Sequence, residues 1–301
     1  MLYKHIHIIG SGALGSLLCA RALLHGYSMI RHPRSEAVAQ VTLHNQSIVK
    51  LNTPLNQWPS TESRQLVILP LKSYQVHAAL EQYEAHFTTD VDVLLVHNGM
   101  LDWPQTELNE KPYRLFAATT SIAAFKPSAT AVTQTGQGET FVGALQSPAD
   151  SNGLAQLNSV CSELFGKSSF SADIRRTQWL KLTVNSLINP LTAINGLRNG
   201  ELIEERWQTE LKRLASELSA LAKVQGFDEP AESIMTRAQK VMQRTANNYS
   251  SMHQDVTHGR PTEIDAINGY ALGIAKRVGI ECPQLAEHYK AVKALVLRQP
   301  I

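Results

Sequence analysis

The hexapeptide Gly10-Ser11-Gly12-Ala13-Leu14-Gly15 constrains this chain more than any other stretch. It has the form G-x-G-x-x-G. It follows a strand-like run, His5 to Ile9, and opens a helix-like run, Ala13 to His25. In that context each glycine has a task. The first permits a tight turn, the second lets the backbone approach a pyrophosphate, and the third lets helix pack closely on strand. The helix N-terminus then offers unpaired N–H groups and a partial positive charge to the anion. A glycine turn with no ligand is the alternative reading.

The surrounding pattern supports the ligand reading. Leu66 to Leu71 and Val91 to Val96 are apolar runs of strand length, rich in Val, Ile and Leu as buried parallel strands are. Pro70 marks the end of the first. A helix-like stretch, Tyr74 to Phe87, lies between them, and residues 113 to 145 read as further strands. Such alternation implies a parallel sheet with right-handed crossovers. From about residue 172 the pattern changes to helices: Leu180 to Asn195, Glu205 to Gln225, Pro230 to Tyr249 and Thr262 to Val278. In the last, Ile264, Ile267, Ala271, Ile274 and Val278 form one apolar stripe. Thr262 with Asp265 reads as its start, and Gly279 as its stop. The chain has 301 residues, and roughly 150 residues per domain gives two domains. The fold class is α/β: a Rossmann-type dinucleotide-binding domain over 1–171, followed by an all-α domain over 172–301.

Composition narrows the partners. Lys plus Arg is 28 and Asp plus Glu is 26, a net charge of +2, so binding to nucleic acid by bulk electrostatics is not expected. No apolar run reaches about 18 residues, so no membrane span is expected. The first residues do not read as a secretion signal. Cys19, Cys161 and Cys282 are odd in number and in no metal spacing, which fits a reducing cytoplasm and no metal site.

The second strand should end near Met29-Ile30-Arg31-His32-Pro33-Arg34 and face the adenosine ribose. NAD binders place a carboxylate there. Here two arginines stand with no acid before Glu36. A guanidinium pairs with a 2′-phosphate, which points to NADP over NAD. Solvated loop arginines are the alternative. Lys72 and the sequence His97-Asn98-Gly99-Met100 follow the next two strands, at the carboxyl ends where open α/β sheets bind ligands. A surface lysine and a plain turn are the alternatives there.

In the helical half, Lys181, Asn185 and Asn189 interrupt an apolar segment at steps of four, so they fall within about 80° of one helix face. Thr192 and Asn195 join them if the helix survives Pro190, which should bend it. Burying an unpaired Asn costs roughly 1–3 kcal/mol, so this stripe needs polar partners or water. A bound anion or polyol would serve. A second polar group comprises Asn248-Tyr249-Ser250-Ser251 and Thr262-Glu263, which can hold a ligand or cap helices.

Together these pieces resemble the ketopantoate reductase family. They are GSGALG at 10–15, LKSYQV at 71–76, HNGM at 97–100, KLTVNSLINPLTAI at 181–194, NGEL at 199–202, NYSSMHQD at 248–255 and TEIDAINGY at 262–270. The resemblance spans nearly the whole chain. It implies a Rossmann domain, a helical domain and a site between them. It implies NADPH-dependent reduction of 2-dehydropantoate to (R)-pantoate, on the route to pantothenate and coenzyme A. By resemblance Lys181 is the catalytic lysine, and Asn185, Asn189, Asn199, Asn248 and Ser251, with Lys181, hold substrate. Gly10, Ser11, Gly12, Ala13, Leu14 and Gly15 hold the cofactor, with Lys72, Asn98 and Ala124. Glu263 stands on the cofactor side, linked to the lysine. Arg34, eight residues after Gly26, has the family's spacing for the 2′-phosphate, with Arg31 as the alternative. A ketoacid is then the partner, and the chain is a monomer or homodimer. A reductase of another branched 2-ketoacid, or an NADP-binding regulator without catalysis, would share these features.

Overall fold

A computed structural model describes residues 3–59, 63–146 and 151–297. It divides the chain into two compact units, Met1–His97 with Trp103–Thr177, and Asn98–Asp102 with Gln178–Ile301. The division therefore falls at 177/178 rather than 171/172. Five residues from the first half also join the second unit.

The first unit runs β1 (His5–Ile9), α1 (Ala13–Leu24), β2 (Ser28–His32), β3 (Gln40–Thr42), β4 (Ile48–Lys50), β5 (Gln65–Leu69), α2 (Val76–Tyr83), β6 (Val91–Val96), α3 (Gln105–Glu110), β7 (Arg114–Thr120), β8 (Ala123–Ser128), β9 (Ala131–Gly136), β10 (Glu139–Ala144), α4 (Ser151–Phe165) and β11 (Lys167–Phe170). A seven-stranded sheet has the order β11-β10-β7-β6-β5-β1-β2. From β7 through β2 all neighbours are parallel, and β10 turns antiparallel on β7. The parallel strands are buried on both faces, as their unbroken Val, Ile and Leu runs require. Pro70 follows β5 directly, where its missing N–H costs no ladder bond. A second sheet, β4-β3-β9-β8, was not expected as such, because β3 and β4 have only three residues each.

One buried carboxylate locks the amino ends of these strands. Asp92 on β6 is fully buried. It accepts from Arg114 at 2.7 and 2.6 Å, from Arg64 at 3.0 Å and from the hydroxyl of Tyr3. Burial, and the negative charge of Asp92 beside it, hold the Tyr3 hydroxyl above the usual phenol range.

The second unit continues with α5 (Ile174–Asn195), α6 (Glu205–Val224), α7 (Ala231–Arg244), α8 (Ser251–Thr257), α9 (Tyr270–Val278) and α10 (Pro283–Leu297). The helix α5 runs through Pro190 to Asn195. Leu182, Leu187, Ile188 and Leu191 face a core shared with Leu211, Leu214 and Leu218 of α6. Each such side chain contributes roughly 1.5–3 kcal/mol when fully buried.

The segment read as one helix from Thr262 to Val278 departs from that reading. Residues Asp265–Gly269 form a widened turn, in which the N–H of Gly269 donates to the carbonyl of Ile264 at 3.0 Å. Asp265 does not cap the segment. It is exposed, and accepts from Tyr289 at 2.6 Å and Lys293 at 3.0 Å. Val278 lies at the exposed end of the stripe, and Gly279, at φ 72°, closes the helix in the left-handed conformation.

Among the described residues no helix is long and apolar enough to cross a membrane, and no cluster of three His, Cys, Asp or Glu could hold a metal. The three cysteines are buried free thiols.

Candidate active site

Three polar side chains far apart in sequence meet within the second unit. Lys181 on α5 donates from Nζ to Oδ1 of Asn98 at 3.0 Å. Asn98 donates from Nδ2 to Oε2 of Glu263 at 2.9 Å, and its backbone N–H reaches Oε1 at 3.3 Å. A carboxamide has one acceptor end and one donor end. Reversing it would set an NH2 against an ammonium and an oxygen against a carboxylate. The charges on either side therefore fix the orientation of Asn98.

The backbone around this bridge explains its position. Gly99 has φ +73°, and a Cβ there would lie 2.3 Å from the carbonyl oxygen of Ala266. Only glycine lets residues 98–102 lie this close to the widened turn. The N–H of Met100 then donates to that same carbonyl at 2.8 Å. Glu263, which precedes the turn, is buried. Loss of water around Lys181 pushes its ammonium down to about 8, while the charge of Glu263 pulls the other way.

The remaining polar stripe of α5 leads away from this bridge. Asn185 is half-buried and Asn189 buried. At 1.5 Å per residue Asn189 stands about 12 Å along the helix from Lys181. One turn further, Thr192 donates to Oγ of Ser250 at 2.8 Å, and Ser250 caps α8 by accepting from the N–H of His253 at 3.0 Å. Ser250 is thus the structural serine, while Ser251 and Asn248 are exposed. Asn199 joins the same region. Its N–H donates to the carbonyl of Asn248 at 2.9 Å and its Nδ2 to Thr245 at 2.9 Å. Its Oδ1 is buried and has no partner among the described residues.

In the first unit, the glycine turn is shaped for a dinucleotide. Gly10 has φ +111°, and a Cβ there would meet Leu71 at 2.7 Å. At Gly15 a Cβ would meet the carbonyl of Gly10 and Pro70 at 2.9 Å, and Ile8 at 3.1 Å. A Cβ at Gly12 would meet no described residue beyond its own helix and chain neighbours within 4 Å. The first and third glycines are filled by protein, and the second opens outward, as close approach of a pyrophosphate requires. Among the described residues no side chain caps α1, so its first N–H groups keep their capacity for an anion. Ser11, Ala13 and Leu14 complete that turn.

The other expected cofactor residues divide. Arg31 is committed internally. It is buried, and donates to Thr53 at 2.7 Å, to the carbonyl of Leu51 at 2.7 Å and to that of Val38. Arg34 is exposed just beyond β2. Lys72 is half-buried in the turn after β5, where its carbonyl accepts from the N–H of Gln75 at 2.8 Å. Ala124 lies on β8 and packs against the core of the first unit. The same strand supplies a residue that sequence reasoning missed: Nζ of Lys126 donates to the carbonyl of Ser11 at 3.4 Å. Its only sequence signal is one lysine in the short strand Ala123–Ser128, whose other side chains are uncharged.

Residues 6–147 match the family described as Ketopantoate reductase PanE/ApbA, and residues 173–296 match its C-terminal counterpart. The 2-dehydropantoate 2-reductase of Vibrio cholerae is 30% identical over 97% of this chain and 97% of its own. The crystal structure of the probable 2-dehydropantoate 2-reductase panE from Bacillus subtilis is 26% identical, with a TM-score of 0.76, covering 97% of this chain and 99% of the other. A ternary structure of D-mandelate dehydrogenase with NADH and anilino(oxo)acetate has the same fold, at a TM-score of 0.85 and 22% identity, covering 97% and 98%.

Proposed function

Given that the chain belongs to the ketopantoate reductase family, we propose that it reduces 2-dehydropantoate to (R)-pantoate with NADPH, and that Lys181 gives the proton. The observation that carries this reading is the bridge from Lys181 through Asn98 to Glu263. A bound nicotinamide dinucleotide supplies hydride. As the ketone oxygen gains negative charge, the ammonium of Lys181 stabilises it and yields a proton from Nζ. Asn98 aims that amine, and Glu263 favours its charged form. Asn185, Asn189, Asn199, Asn248 and Ser251 offer neutral polar groups for the hydroxyl and carboxylate of the substrate. Gly10 to Gly15 and Lys72 cradle the cofactor, with Ala124 beside it. Purified chain, NADPH and a panel of 2-ketoacids test the assignment by loss of nicotinamide absorbance. The highest kcat/KM is expected for 2-dehydropantoate, and a clear preference for another ketoacid would replace the substrate.

The NADP reading rests on Arg34, since Arg31 is used internally. For Arg34→Glu, kcat/KM with NADPH should fall about a hundredfold while that with NADH holds, because a carboxylate repels the 2′-phosphate. An unchanged NADPH preference would remove Arg34 from that role.

Asn98 acts on the amine as well as on the cofactor. For Asn98→Ala, kcat should fall by up to about a hundredfold at saturating NADPH, as expected when a reacting group loses its aim. The alkaline limb of the rate profile should also move to lower pH, because an acceptor for the ammonium is gone. A change confined to the KM for NADPH would leave Asn98 a cofactor contact alone.

A further inference from the structure

The first unit holds an aromatic cluster that the proposed chemistry does not use. The indole of Trp58 stacks on three imidazoles: His7 at 4.3 Å and 11°, His86 at 4.4 Å and 4°, and His32 at 4.6 Å and 28°. His7 and His32 also meet each other, Nδ1 to Nε2, at 3.0 Å. Nε2 of His7 donates to Oε1 of Gln65 at 2.8 Å, so His7 Nδ1 is the acceptor and His32 Nε2 the donor. That leaves His32 Nδ1 buried without a partner among the described residues. With both rings neutral these hydrogen bonds close, and with both protonated the facing Nδ1 and Nε2 would each carry a hydrogen and repel.

The cluster is tied to the glycine turn through the backbone. The carbonyl of His32 accepts from the N–H of Gly10 at 3.0 Å. Residues 51–56 run beside β2, with the N–H of Arg31 donating to the carbonyl of Pro54 at 3.1 Å, and that of Asn56 to the carbonyl of Arg31 at 2.9 Å. Trp58 continues this segment. It packs over the ring of His32, two residues before Arg34.

We propose that Trp58 is a positioning residue for the dinucleotide turn, holding the carbonyl of His32 against the amide of Gly10, and that protonation of the His7–His32 pair releases it. Among the described residues, the groups around the pair give an added proton no acid to meet. His5 lies on β1, Tyr83 on α2 and His86 in the turn after it, and residues 51–59 carry no charged side chain. Burial pushes His7 down to about 3 and His32 to about 4, with neighbouring imidazoles adding to the shift. A ring released to water returns toward about 6.5, so each favours the open state about thirtyfold more at about pH 5 than near neutrality.

The ligand half of this inference rests on the dinucleotide reading, and the backbone half does not. The test compares the full chain with Trp58→Ala and Trp58→Phe. Hydrogen exchange of the Gly10 amide should be about tenfold faster in Trp58→Ala at about pH 7.5, and near normal in Trp58→Phe, which keeps a ring to stack. The Kd for NADP, by calorimetry, should rise about tenfold in Trp58→Ala with kcat at saturating NADPH unchanged. The ratio of variant to parent Kd should shrink toward one at about pH 5, where the parent has released Trp58. Titration of the 2′-phosphate cancels in that ratio. Unchanged Gly10 exchange overturns the positioning role, whether or not a dinucleotide binds. Faster Gly10 exchange in a chain that binds neither NADP nor NAD supports the backbone role and refutes the cofactor reading instead. A Kd ratio that stays near ten at both pH values overturns the proton step.

Discussion

Lys181→Ala should lower kcat for 2-dehydropantoate reduction by about three orders of magnitude, within the range that a positioned proton donor contributes. The Kd for NADPH should stay within about twofold, because the amine acts on the charge that develops during the reaction. The reason lies in the surroundings of the amine. It is held by the oxygen of Asn98 at 3.0 Å, and loss of water has pushed it down to about 8. An ordinary lysine near 10.4 gives up its proton less readily at neutral pH. Lys181→Arg should fare little better than Lys181→Ala, since a guanidinium keeps charge but does not release a proton in this range. Rapid-mixing measurements of single-turnover rate, with cofactor binding measured separately, separate the two effects. Retention of more than about a tenth of the turnover in Lys181→Ala would remove the amine from the proton transfer.

The second large effect concerns stability. Asp92→Ala should destabilise the chain by roughly 3–5 kcal/mol, the cost of breaking a buried ion pair by removing one partner. Asp92 is fully buried between Arg114, Arg64 and Tyr3. Its removal takes the buried carboxylate from two partly shielded guanidinium groups, of which Arg64 keeps the carbonyl of Thr89 at 3.2 Å and the exposed Asp90 at 3.8 Å. Urea unfolding followed by circular dichroism should show the midpoint falling sharply. A loss below about 1 kcal/mol would show that the two arginines reach solvent without cost, as exposed pairs do.

The legible parts of the molecule are those set by local pattern. The turn at Gly10 to Gly15, and the strands at Gln65–Leu69 and Val91–Val96, follow from glycine spacing and unbroken apolar runs. The helix through Lys181, Asn185 and Asn189 follows from the four-residue step. The widened turn at Asp265–Gly269 was not legible, because Ile264, Ile267, Ala271 and Ile274 stay buried either way, and their spacing does not report one inserted residue. The three-residue strands β3 and β4 are too short for a period to show. The bridge itself joins Asn98 to residues 83 and 165 positions away, and a turn sequence such as Asn98-Gly99 carries no mark of that partner. Spacing after Gly26 favours Arg34 by resemblance, with Arg31 as the alternative. The three acceptors that commit Arg31 internally come from residues 38, 51 and 53, which no local pattern marks as its partners. The stack of Trp58 on His7, His32 and His86 draws on four separate segments, so no single window shows it.

The pH dependence of kcat/KM for 2-dehydropantoate at saturating NADPH bears most directly on the role of Lys181. The donor must carry its proton, so the value should be flat on the acid side of about 8 and fall tenfold per pH unit above it, matching the lowered amine. A profile that stays level to about pH 10, where an ordinary lysine titrates, would contradict a dehydrated ammonium as the proton donor.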